Sequence, residues 1–191
     1  MTLTRILPTL RRSIPDPIAG DHWPAATTAS TSDVSVGGVS LLRLAELCGT
    51  PAVHLGPAAA PGTSGRLASA TRNSGVVVVR VLEASARHGN RTATIDADLS
   101  ALEPVWAEAR LIGRTSVARV APTLLTAASG CLAPAPIALP GDLDAGDLLA
   151  LPYATVTDDA GIARPASGWR DARYRSAGTT SDAKSSSPER S

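Results

Sequence analysis

Acids in close sequence pairs are the residues of this chain best suited to chemistry. Asp96 and Asp98 are separated by one residue, so they share a face if a strand runs through both. Two such carboxylates can trade a proton or hold a cation. The preferred reading is plainer, with Asp98 opening a turn. Asp142, Asp144 and Asp147 approach calcium-loop spacing, but no glutamate closes the set, so they read as solvated acids in a turn. Cys131 is a candidate nucleophile without a local His-plus-acid set, and both it and Cys48 read as small buried hydrophobes. Two cysteines are too few for a disulfide framework or a four-thiolate zinc site. His22, His54 and His88 lie far apart, so a metal site would need ligands gathered from distant loops. Metal ligands are therefore expected to be none.

Other residues carry weaker signals. Gly37-Gly38 lacks the Gly-Lys-Ser/Thr ending of a phosphate loop and reads as a tight turn. Trp106 is balanced between interface anchor and core residue. Arg11-Arg12 forms one short basic cluster, and Arg164, Arg170, Arg173 and Arg175, interleaved with Trp169 and Tyr174, form another. Both read as solvated, with docking onto an acidic partner as the alternative. The single lysine, Lys184, lies in a polar stretch beside Ser185, Ser186 and Ser187. A mechanism needing a buried lysine amine has nowhere to put one.

These residues must be positioned by a small protein. At 191 residues the chain allows one ordinary domain plus tails, and 43% hydrophobic against 18% charged residues permits a sizeable core. Aromatics are only 3%, with no Phe, so Val, Leu, Ile and Ala must fill the interior. A net charge of +1 removes the basic footprint of a nucleic-acid binder. Residues 1–8 hold no apolar stretch long enough for a signal peptide, and no run approaches the ~20 apolar residues that span a bilayer. The expectation is a cytoplasmic protein with neither nucleic-acid nor membrane partners.

The pattern predicts one or two helical turns in residues 2–13, with Thr2 as N-cap and Pro8 limiting the length. Residues 19–32, rich in Ala, Thr and Ser, read as a linker. Val34 and Val36 alternate in a short strand, Gly37-Gly38 turns, and Ser40 caps a helix over 40–48 that ends at Gly49. Ala52 to Leu55 is extended, and 56–75 is a loop by composition. Val76 to Leu82 is an apolar strand buried on both faces, followed by a hairpin at His88-Gly89-Asn90 into 92–96. Further strands are expected at 108–113, 117–127, 135–139 and 147–156. The whole reads as mainly β, a sandwich or small barrel with one short helix and disordered ends.

Two separated stretches resemble one family, the group IV (fold type III) pyridoxal-phosphate decarboxylases acting on diaminopimelate, ornithine or arginine. Asp33-Val34-Ser35-Val36-Gly37-Gly38-Val39-Ser40 through Gly49-Thr50-Pro51 is similar to the segment that leads into the family's β/α barrel. Glu103-Pro104-Val105-Trp106-Ala107-Glu108-Ala109 resembles a degraded "RPALY-x-A" segment. Leu139-Pro140 with Gly146-Asp147-Leu148-Leu149-Ala150-Leu151-Pro152 resembles its "LP…PGDLLAVP" ending. The resemblance implies a small β domain of the alanine racemase C-terminal type over 33–157. Loop 56–75 stands where the barrel would be, between a 1–32 helix and linker and a polar tail at 158–191.

The same resemblance shows what is altered. The family's cofactor lysine belongs to the barrel, and Lys184 cannot match it. Where a "GPxCESxD" segment would bring a cysteine, Ala121-Pro122-Thr123 is followed by Leu124. The arginine and tyrosine of "RPALY" are Glu103 and Ala107. The tyrosine of a terminal "DAGAY" has no match either: Tyr153 is at the wrong offset and Thr157 takes the place. Catalytic and cofactor-binding residues are therefore expected to be none, and so is a pyridoxal-phosphate cofactor. The implied function is a non-catalytic interaction module or pseudoenzyme that pairs with itself or with a full-length decarboxylase. The alternatives are an accessory part of such an enzyme in lysine or polyamine metabolism, or an enzyme of altered chemistry. The last would need Cys131, Asp96, Asp98 and Tyr153 to converge.

Overall fold

The computed structural model describes residues 2–68, 73–87, 90–127, 130–131 and 133–154. Its backbone is mainly β, as the strand patterns imply. The elements in order are α1 (Leu3–Ile6), β1 (Thr27–Ala29), β2 (Val34–Val36), β3 (Val39–Ser40), α2 (Leu41–Cys48), β4 (Ala52–Pro57), β5 (Asn73–Arg87), β6 (Asn90–Ile95), β7 (Arg110–Ile112), β8 (Val120–Ala127), β9 (Gly130–Cys131), β10 (Ile137–Pro140) and β11 (Leu148–Ala154). Short 3-10 turns cover Pro8–Arg12, Gly20–His22 and Trp106–Glu108.

Eight strands form one curved sheet in the order β10-β8-β6-β5-β11-β7, with β4 also on β5 and β9 also on β8. The end strands β7 and β10 approach one another, so the sheet nearly closes into a barrel. A bulge in β5 makes this curl possible. Val81 faces Ile95 and Glu83 faces Thr94, which leaves Leu82 as the inserted, 54% exposed residue. A bulge bends and twists a strand. Up to Arg80 β5 pairs with β4 and β11, and from Val81 onward with β6.

The valine run of β5 serves two cores at once. Val77, Val79 and Val81 join Ala93, Ile95, Leu125, Leu139, Leu149 and Leu151 inside the barrel. Val76 and Val78 point the other way and pack with Val34, Val36, Leu41, Ala45, Leu148 and Ala150 outside it. Strand alternation accounts for the split, and the expectation of burial on both faces holds. Strand β2 does not enter the large sheet. It pairs with β1 and β3 in a three-stranded sheet whose buried valines join the outer core.

Local chemistry fixes this outer layer. Gly37 and Gly38 both have positive φ (57° and 86°), as a two-residue hairpin turn requires. The Asp33 carboxylate accepts hydrogen bonds from the Val34 and Leu42 amides (2.7 and 3.0 Å) and from the Ser40 hydroxyl (2.5 Å). The Ser40 Oγ in turn caps α2 by accepting from the Arg43 amide at 3.0 Å. The opening of the family-like motif is therefore a strand-to-helix fastener.

The N-terminal region departs from its linker reading. Residues 2–13 do form only two short turns, broken at Pro8. Residues 19–32, however, contribute β1 and the fully buried Trp23, the largest side chain of the outer core. Composition conceals this, because one tryptophan carries most of the segment's burial. The expected extension of β11 to 156, the tail from 158 and the turn residues His88 and Gly89 lie outside the described residues.

Candidate functional site

The richest polar cluster surrounds a cavity of about 130 Å³ between the N-terminal segment and the barrel wall, lined by Arg11, Asp16, Glu108, Arg110, Arg114 and Ser116 among others. Arg114 is its anchor. It donates Nε to Asp147 Oδ1 at 2.6 Å and Nη2 to Asp147 Oδ2 at 2.7 Å, a bidentate fork. Its Nη1 reaches Asp142 Oδ2 at 3.2 Å and its Nη2 the Asp142 carbonyl at 2.8 Å. Ser116 donates to Asp142 Oδ1 at 2.5 Å.

This corrects the reading of Asp142, Asp144 and Asp147 as solvated acids. They do lie in a turn, but two of them hold one arginine, and the Asp147 side chain is only 10% exposed. Asp144 accepts from the Ala145 amide at 2.8 Å, a turn-forming contact. Burial alone would raise Asp142, but the Ser116 hydroxyl and Arg114 outweigh it, so the acid sits below the usual carboxylate range. The Asp147 hydrogen bonds in particular raise Arg114, which stays charged.

The other half of the cluster fastens the N-terminal segment. Arg11 is buried, donates Nη1 to the Ala118 carbonyl at 2.9 Å and lies 2.9 Å from Asp16. Reading Arg11-Arg12 as a solvated basic pair is therefore wrong for Arg11, whereas Arg12 is exposed. Arg110 donates Nη2 to the Pro17 carbonyl at 2.7 Å. Burial lowers its basicity, against the opposing pull of Asp16 and Glu108. Glu108 Oε2 accepts from Trp23 Nε1 at 2.9 Å and from the Ala19 amide at 3.2 Å. The cluster pairs opposite charges and aims hydrogen bonds at backbone carbonyls. Such chemistry fastens two parts of a chain together.

Asp96, Asp98 and Tyr153, three of the residues proposed for an altered active site, do not converge. Strand β6 ends at Ile95, so Asp96 and Asp98 do not share a strand face. Asp96 Oδ1 accepts from the Arg80 amide at 2.8 Å, and Asp98 Oδ1 accepts from the Ser100 amide at 2.9 Å. Tyr153 pairs with Gly75 at one end of β5, while the Asp96 amide bonds the Arg80 carbonyl five residues along. Five strand residues span about 16 Å. The Tyr153 hydroxyl is pushed up to about 12 by burial, so it stays protonated at neutral pH. Cys131 lies in β9 opposite Thr126, and its side chain lies outside the description.

Cys48, expected to be buried, is an exposed free thiol. Helix α2 buries Leu41 and Ala45, one turn apart, and the outer core ends before the next turn reaches Cys48. His54 is half-buried on β4, and desolvation lowers its pKa, favouring the neutral ring. His22 is exposed, and Trp106 is half-buried against the inner core, the second of its two readings. No group of three or more His, Cys, Asp or Glu side chains among the described residues could hold a metal. Lys184, Arg164, Arg170, Arg173, Arg175, Trp169 and Tyr174 lie outside the described residues.

No protein-family model matches the chain, and no curated protein does. Solved structures similar to it over part of its length carry decarboxylase names. The arginine decarboxylase of Paramecium bursaria Chlorella virus has a TM-score of 0.33 and 16% identity, over 42% of this chain and 24% of that one. Diaminopimelate decarboxylase from Helicobacter pylori, complexed with L-lysine, has a TM-score of 0.31 and 19% identity, over 40% of this chain and 20% of that one. Lysine/ornithine decarboxylase from Vibrio vulnificus, complexed with cadaverine, has a TM-score of 0.30 and 17% identity, over 42% and 24%. The shared part is thus less than half of this chain and at most about a quarter of these three enzymes.

Proposed function

We propose that this chain is a non-catalytic relative of the pyridoxal-phosphate decarboxylases, a β domain that acts by pairing with itself or with a full-length decarboxylase. One observation carries the reading. The stretch resembling the family's entry to its barrel packs directly onto the stretch resembling its β domain, because Val34, Val36, Leu41 and Ala45 share a core with Val76, Val78, Leu148 and Ala150. The connection is direct, since β4 leaves the first stretch and pairs with β5 from Ala52↔Val78 to Pro57↔Asn73. A chain that lost the intervening barrel closes in this way, and a short loop serves because closure entropy grows slowly with length.

Pairing has a physical basis in the same strand. Among the described residues β4 has no partner strand but β5; at its far end the Pro57 carbonyl takes the Ala25 amide at 2.7 Å, and from Ala52 to Leu55 its other edge faces no further strand. Open edges are templates for adding a strand from another chain. The family-like "GD" of Gly146-Asp147 holds Arg114 here, a structural use that asks nothing of a cofactor. Light scattering on the purified chain, and affinity capture from the native cell with decarboxylases specifically sought, test the reading. A dimer or a captured decarboxylase is the expected result. A monomer that captures no decarboxylase removes the proposal, as does an imine absorbance band that survives desalting after incubation with pyridoxal phosphate.

A further inference from the structure

The N-terminal segment buries two polar side chains and leaves large apolar ones exposed. Thr4 and Arg11 are its buried side chains, and Arg11 is held by the Ala118 carbonyl and Asp16. Leu3, Ile6 and Leu7 are 68%, 59% and 53% exposed. Positions three and four apart are neighbours on a helical turn, so these three side chains stand together. A soluble protein ordinarily turns its apolar stripe toward the core. Residues 2–15 also contain Arg5, Arg11 and Arg12 with no Asp or Glu, and Arg5 and Arg12 are exposed.

We propose that this segment is a strap that docks the protein on an anionic lipid surface, with Leu3, Ile6 and Leu7 seated among the headgroups and Arg5 and Arg12 against lipid phosphates. Two features favour lipid over a protein partner. The strap asks for an occupant that is both apolar at shallow depth and densely negative, which is the composition of an anionic bilayer interface. Three side chains also fall far short of the roughly 800 Å² per partner that a stable protein interface needs. The Arg11 and Asp16 contacts hold the strap against the barrel, so docking needs no unfolding. No helix among the described residues is long and apolar enough to cross a membrane, and the strap requires none. A spanning run or a signal peptide is what a sequence shows of a membrane partner, and a surface strap is neither.

The test is co-sedimentation of the full chain with vesicles of phosphatidylcholine alone and of phosphatidylcholine mixed with phosphatidylglycerol. Binding to the mixed vesicles only, weakened by salt, is expected. Each exposed arginine contributes about fivefold to partitioning, so the R5Q/R12Q double variant binds about 25-fold more weakly. The L3S/I6S/L7S variant, whose changes are all at exposed positions, keeps its circular dichroism spectrum and loses the binding. Wild-type protein that ignores anionic vesicles, or that binds them no better than the triple-serine variant, overturns the proposal. So does a concentration-dependent dimer abolished by the triple-serine change in protein that binds no vesicles, since the patch is then a contact between copies.

Discussion

Replacing Trp23 by alanine asks whether the first 30 residues belong to the folded core. The indole is fully buried among Val34, Val36, Leu41 and the outward side of β5, and its N–H donates to Glu108 at 2.9 Å. Truncating a buried Trp costs about 3–5 kcal/mol through lost transfer energy and the residual cavity. The lost hydrogen bond to a carboxylate accounts for about 1.5–3 kcal/mol at most. Phenylalanine at the same position keeps most of the ring and removes the donor, so it separates the two contributions. Urea unfolding followed by circular dichroism is the assay, because fluorescence would change with the tryptophan itself. A loss of about 3 kcal/mol or more for W23A, with W23F between it and wild type, is the expected order. A loss under about 1 kcal/mol for W23A refutes the reasoning and returns the N-terminal region to the status of a tail.

A Cβ built on Gly75 would stand 2.2 Å from Tyr153 Cζ, so G75A is expected to cost about 1–3 kcal/mol by overpacking. The same change in a Tyr153→Ala background should cost clearly less, which a double-mutant cycle by urea unfolding measures. Arg114→Ala should destabilise by about 1–3 kcal/mol, since it leaves the 10% exposed Asp147 without its fork. Asp142 has a lowered pKa, so its contribution is present above the ordinary value of 3.8 and is lost as pH falls through the folded value. Arg114→Ala should therefore flatten the acid limb of a stability-against-pH curve. His54 is also lowered, by burial, so the fold prefers its neutral form. Its contribution is complete above about pH 6.5 and declines as pH drops from there toward the folded value, and His54→Gln should remove that decline in thermal scans between pH 5 and pH 7.

Local pattern made the strands legible. The valine run of β5, the Gly-Gly turn, the Ser40 cap and the breaks at Pro8 and Gly49 are each dictated by a residue and its immediate neighbours. What escaped was set by distance in the chain. Glu108 meets Trp23 across 85 residues, Arg11 meets Ala118 across 107, and Arg114 meets Asp147 across 33, and no spacing rule joins such positions. Asp147 reads as a turn residue, yet the charge it holds comes from Arg114, two residues past β7. The Asp96 and Asp98 pair illustrates the converse. Their spacing invited a shared site, but each carboxylate is taken by a backbone amide near the end of β6. Cys48 reads as buried and is exposed, because helical periodicity continues past the point where the outer core stops.

The closure of the early stretch onto the β sheet is tested most directly by methyl NOEs in the folded chain. Val34 and Val36 share a core with Val76 and Val78, and a Cβ at Gly56 would lie 3.2 Å from Val36 Cγ1. Cross-peaks from the Val36 methyls to the Gly56 α-protons and to the Val76 or Val78 methyls are expected. Their absence, with strand 34–36 exchanging its amides as fast as free chain, would contradict the closure and the function built on it.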